Sequence, residues 1–220
     1  LKEIIEIKEL SYGEFSEISG LNPRFKPRGK KLKVVLDVNA LGRKDLNVGL
    51  TYVFNNLVKL LPSLERHQCG ENLFEHIRSG NLSGDHQHPD EITNIAHMME
   101  HIIIDLQSNI TGMNSCSGIT CGYKKPVYRF DLFVECKDKK VGMFSAFFAA
   151  EILRRLVTNR RLSRRYPNLI DLTKHLYRER SHRQLAEPEH LVSQINQRWG
   201  WRRSFILLLL RKLKEFGFLD

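Results

Sequence analysis

Residues 119–157 read ITCGYKKPVYRFDLFVECKDKKVGMFSAFFAAEILRRLV, and their pattern decides the fold. Across 119–124 and 127–136, aromatic and β-branched residues alternate with polar ones, and only Lys125 and Pro126 lie between the two runs. A pair of strands joined by a short turn is expected. From Val141 the period changes: apolar residues recur every three or four positions to Val157, which predicts a helix over 141–157. Strands that feed directly into helices, without regular βαβ alternation, predict an α+β fold with helices laid on an antiparallel or mixed sheet.

Working outward, residues 2–8 (KEIIEIK) and 32–38 (LKVVLDV) have the character of two further strands. The loop between them carries Gly20, Pro23, Pro27 and Gly29. Residues 47–61 show helical spacing and stop at Pro62, a short helix is expected at 71–79, and GNLSGDHQHPD (80–90) is a polar loop. Asp90, with Pro89 before it, is placed to cap a helix running to about Ser108 and ending near Gly112. Beyond RRLSRRYP (160–167) come amphipathic segments near 168–180 and 187–198, then WGWRRSFILLLLRKLKEFGF (199–218). The expected division is an α+β domain over 1–159 and a basic helical extension over 160–220.

A chain of 220 residues buries roughly 70% of the surface it exposes when unfolded, so disulfides are not needed to hold it. Its four cysteines, at 69, 116, 121 and 136, form no CxxC pair, and LKEIIEIKEL at the start has no secretion-signal character. A reducing cytoplasm is the expected compartment. The longest apolar run, FILLLL (205–210), is far short of the roughly 20 residues that span a bilayer, so no membrane association is expected. The chain begins at Leu1 rather than Met, which allows for an incomplete N-terminus.

The net charge of +10 is unevenly distributed. Residues 1–150 hold 19 Lys and Arg against 18 Asp and Glu, whereas 151–220 hold 16 against 7. A basic last third attracts polyanions in general, or simply forms a solvated helical face. It carries no helix-turn-helix signature, so nucleic acid is not the expected partner. Trp199, Trp201 and the aliphatic run are expected in a packed helix or a contact between copies of a homo-oligomer.

The expected helix from Asp90 contains IAHMMEHIIIDLQ (95–107). At about 100° per residue, His101 lies roughly 40° from His97 and Glu100 about 60° to the other side. Two imidazoles one turn apart suit a Zn²⁺ ion, and a glutamate beside them suits proton removal from an attacking water. HxxEH is the inverted form of the zincin motif HExxH. The bland alternative is an amphipathic helix with hydrogen-bonded histidines. A catalytic zinc takes a third protein ligand. The candidates are Glu135, Asp105, His86, His88 and the cysteines; Glu135, near the end of the second strand, is preferred. Asp105, one turn beyond His101, is expected to hold that ligand's other ring nitrogen. His86 and His88, in the polar loop, are expected to be solvated.

Together LVKLLPSLERH (57–67), HMMEHIIIDLQ (97–107), ITCGY (119–123) and VYRFDLFVECKDKKVGMFSA (127–146) resemble, in this order, the N-terminal domain of cyanophycin synthetase. The resemblance implies a cyanophycin-related function. Cyanophycin is a polyaspartate bearing arginine on its side chains, which such domains bind and in some members cleave as metallopeptidases. Carried over by position, His97 and His101 match metal ligands, Glu100 the catalytic base, and Glu135 a glutamate that would complete a His₂Glu zinc site. The expectation is a zinc-dependent peptidase acting on cyanophycin or a related Asp/Arg polymer; the alternative is a non-catalytic binding module. Asp85, Asp90, Glu91 and Lys124 are possible substrate contacts. Three departures stand out. There is no G-x-x-x-x-G-K-[ST] loop, so polymerase activity is not expected; Lys124-Lys125-Pro126 replaces a Gly-Arg-x-Arg segment, beside an inserted NSCSG (114–118); and the basic extension has no counterpart.

Overall fold

The computed structural model describes residues 3–21, 25, 29–39, 49–67, 89–180 and 188–220. Four strands, β1 (Ile5–Gly13), β2 (Lys31–Val38), β3 (Gly118–Gly122) and β4 (Arg129–Glu135), form one sheet in the order β1-β2-β4-β3, with every neighbouring pair antiparallel. The helices are α1 (Ile18–Leu21), α2 (Leu50–Leu60), α3 (Pro89–Thr111), α4 (Lys139–Val157), α5 (Tyr166–Arg180), α6 (Pro188–Trp199) and α7 (Arg203–Glu215), with a 3₁₀ turn at Pro62–Arg66. This is the α+β architecture expected from the alternation of 119–136 and the helical period that follows it.

Period-two alternation divides the sheet. Leu32, Val34, Leu36 and Val38 of β2 and Phe130, Leu132 and Val134 of β4 are buried in the main core. Phe133, of the opposite parity, packs with Ile18 and Phe25 in a small separate cluster on the other face. That second face also carries the paired charges. Arg129 grips Asp37 through two hydrogen bonds of 2.7 and 2.9 Å, and Lys33 lies 3.2 Å from Asp131.

On the main face lie α3 and α4. The Asp138 carboxylate accepts from the Val141 backbone N–H at 3.0 Å and so caps α4. Gly142 lets that helix settle closely, because a Cβ there would stand 2.5 Å from Cys136 Sγ and 3.4 Å from a Leu32 methyl. α3 buries Ile95, Ala96, Met98, Met99, Ile102, Ile103, Leu106 and Ile110, and stops at Gly112, whose φ of +73° suits a residue without a side chain.

The strands and helices fall close to their expected positions, with shifted ends. β1 runs to Gly13 rather than residue 8, since Leu10 and Tyr12 continue pairing with Val34 and Leu32. Helix α3 already includes Pro89, which puts Asp90 inside its first turn instead of before it. The helix expected at 71–79, the loop before Pro89 with Asp85, His86 and His88, and Cys69 lie outside the described residues. The described residues beyond 160 are largely helical, and apolar side chains among them join the main core. Tyr166, Leu169, Leu172, Ile206, Leu213, Phe216 and Phe218 belong to the same cluster as the α4 residues. Phe216 and Phe218 stand against Phe144 at ring-centre distances of 6.0 and 6.1 Å. Among the described residues, no helix is long and apolar enough to cross a membrane.

Candidate metal centre

A 23-residue helix with one strongly apolar face must turn its polar residues elsewhere, and α3 turns His97, Glu100, His101 and Asp105 into a cleft of about 800 Å³. The 3₁₀ turn after α2 contributes Ser63, Arg66 and His67 to the same cleft, and the segment leading into β3 contributes Cys116, Ser117 and Gly118. All four polar α3 residues are buried, with Glu100 only 4% and Asp105 only 2% exposed.

His97 Nε2 and His101 Nε2 are 3.2 Å apart, with tilted rings whose centres are 4.9 Å apart. One donor atom from each of His97, Glu100 and His101 lies within 4.8 Å of the others. Two nitrogens each roughly 2.0–2.1 Å from one tetrahedral ion stand about 3.3–3.4 Å apart, close to the spacing found. Burial, with the neighbouring His97 and His67 rings, pushes His101 down to about 3, so its ring is neutral at neutral pH, as a metal ligand must be.

Glu100 is held from the sheet. Thr120 of β3 donates its hydroxyl to Glu100 Oε2 at 2.5 Å. Gly118, two residues earlier on the same face of the strand, leaves the space that Glu100 fills: a Cβ there would lie 2.7 Å from Oε1 and 2.9 Å from both Cδ and Cγ. The edge strand therefore acts as a template for the carboxylate.

Asp105 faces the cleft, but it does not reach His101 directly as expected. His67 stands between them: its Nε2 is 3.1 Å from Asp105 Oδ1, and its Nδ1 is 3.2 Å from His101 Nδ1. The second Asp105 oxygen is buried with no hydrogen-bond partner among the described residues, an arrangement uncommon in protein interiors. Sequence spacing gave no sign of His67. It follows the 3₁₀ turn 30 residues before His97, and only the fold brings it to the site.

Glu135 is not brought to the histidines. On β4 the residues that face α3 have the parity of Leu132 and Val134, which pair with Thr120 and Gly118. Glu135 has the parity of Asp131 and Phe133, the opposite face. Its carboxylate accepts from the Ser117 hydroxyl at 2.9 Å and the Ser117 N–H at 3.2 Å, and it does not line the cleft. The expected His₂Glu135 set is therefore not assembled, because a one-residue difference in strand register puts a side chain on the other side of a sheet. Lys124 is exposed and outside the cleft lining, and the side chains of Asp90 and Glu91 are outside the described set. Of the nearby thiols, burial followed by the Glu135 charge raises Cys116 to about 12, so it is a poor nucleophile.

The family model of the cyanophycin synthase-like N-terminal domain matches residues 33–158, more than half of the chain and all of the described cleft. No curated protein matches the chain.

Proposed function

Because this chain belongs to the cyanophycin synthase-like N-terminal domain family, we propose that it is a zinc-dependent peptidase acting on cyanophycin or a related Asp/Arg polymer. The observation that carries the proposal is the buried trio: two Nε2 atoms 3.2 Å apart with the Glu100 carboxylate beside them at the wall of an open cleft. His97 and His101 would hold the ion, and Glu100, not Glu135, is the carboxylate next to it. Bound zinc supplies Lewis acidity for the scissile carbonyl and makes an attacking water more acidic.

Glu100 takes the proton of the attacking water and passes it to the leaving amine. Thr120 and the space above Gly118 orient it for that transfer, so its position does not depend on the substrate. The substrate carries guanidinium groups and carboxyl groups. The cleft offers both signs, with Glu100 and Asp105 on α3 and Arg66 on the 3₁₀ turn, together with the hydrogen-bonding side chains Ser108, Asn109 and Asn114.

The second reading is a non-catalytic module that binds cyanophycin or a related peptide, and the position of Glu135 favours it, since a two-histidine site holds an ion less firmly than a three-ligand one. Elemental analysis of the purified protein, with incubation on cyanophycin and on casein, separates the two. Near one equivalent of zinc with cleavage of cyanophycin alone supports the peptidase. Glu100→Gln should then keep the zinc and lose activity by about 10²–10⁴-fold. Unimpaired hydrolysis by folded Glu100→Gln would overturn the mechanism, and bound but uncut polymer would establish the module.

A further inference from the structure

The protons of the three rings, with His97 and His101 buried and His67 half-buried, single out one more residue. A carboxylate only accepts hydrogen bonds, so His67 Nε2, 3.1 Å from Asp105 Oδ1, carries a proton. An imidazole that carries its proton on Nε2 accepts at its other nitrogen, Nδ1. His67 Nδ1 faces His101 Nδ1 at 3.2 Å, so the latter is the donor and carries the proton of the His101 ring. His101 Nε2, 3.2 Å from His97 Nε2, is left with its lone pair directed at the place where a cation between the two rings would sit.

We infer that His67, backed by Asp105, is a positioning residue that holds His101 as its Nδ1–H tautomer and so presents His101 Nε2 as a metal ligand. Metal-binding histidines are commonly fixed by a carboxylate on their second nitrogen. Here the carboxylate acts one ring further away, through an interposed imidazole delivered by a different element. The arrangement explains why Asp105 is 2% exposed on a helix whose ligand it does not touch. Its consequence for metal binding rests on the zinc reading above, whereas the tautomer itself does not.

Two measurements therefore test it separately. Ring-nitrogen correlation spectra of metal-free protein should report His101 protonated at Nδ1 in the wild type. In His67→Phe, which keeps a ring of similar shape, and in Asp105→Asn, that preference should be lost or reduced. Zinc affinity, measured by competition with a chromophoric chelator, should fall about 10–100-fold in both variants. The Asp105→Asn change should add little on top of His67→Phe, because both act on one chain of hydrogen bonds. An Nε2–H tautomer for wild-type His101 would overturn the inference, because His101 Nδ1 would then be the acceptor in its contact with His67. Unchanged His101 tautomer and zinc affinity in folded His67→Phe would overturn it equally. Wild-type protein that shows the Nδ1–H tautomer yet binds no zinc leaves the inference standing and removes the peptidase reading instead.

Discussion

At Gly118 the absence of one carbon atom decides where Glu100 stands. Alanine would bring its methyl within 2.7–2.9 Å of three atoms of that glutamate, closer than nonbonded atoms approach. The Glu100 side chain would have to swing away from Thr120, whose hydroxyl now holds Oε2. Gly118→Ala should cost about 1–3 kcal/mol of stability, the usual range for overpacking, and lower any hydrolytic rate by more than it lowers substrate affinity. Denaturant melts and the separation of kcat from KM check this. HxxEH was legible in the sequence because helical geometry places the trio on one side without further information. Neither Gly118 nor Thr120 was legible, since a strand's register against a helix comes from packing.

Among the elements, α4 combines a cap, a close glycine contact and a polar clamp at its far end. Arg155 Nε and the Tyr166 hydroxyl both donate to Glu151 Oε1 at 2.9 Å, tying α4 to the start of α5. Burial acts to raise Glu151, but hydrogen bonds from Arg155 and Tyr166 outweigh it and hold the carboxyl below its ordinary value. A carboxyl lower in the folded than in the unfolded state stabilises above the unfolded value, near 4.5, and that contribution disappears as pH falls through the folded one. Glu151→Gln should therefore be less stable than the wild type at pH 7 by about 1–2 kcal/mol, with the difference closing at lower pH. Thermal melts from pH 7 to pH 3 test the sign. At this scale the elements could be anticipated from their periods, while their ends could not. β1 extends past its expected limit because a neighbouring strand offers hydrogen bonds, which no local pattern records.

On the scale of the whole molecule, the basic segment after residue 160 shares the main core. Phe218 is 2% exposed and packs edge-on against Phe144 of α4, and Phe216 lies 5.7 Å from Phe148. Phe218→Ala should cost about 3–5 kcal/mol and destabilise α4 together with the segment itself, which hydrogen exchange on both would reveal as a common loss of protection. If α4 kept its protection, the segment would be an independent unit. Its positive charge lies on exposed side chains such as Arg202, Arg203 and Arg211 around this apolar anchor.

Alternation of 2.0 and 3.6 residues was enough, without coordinates, to establish an α+β arrangement and to put His97, Glu100 and His101 on one side of a helix, because those periods follow from backbone geometry alone. Tertiary structure decided the company those residues keep. Strand parity turned Glu135 to the far face of the sheet, and chain folding carried His67 between Asp105 and His101. Such contacts join residues distant along the chain, and they exist only once the hydrophobic faces of strands and helices have chosen each other.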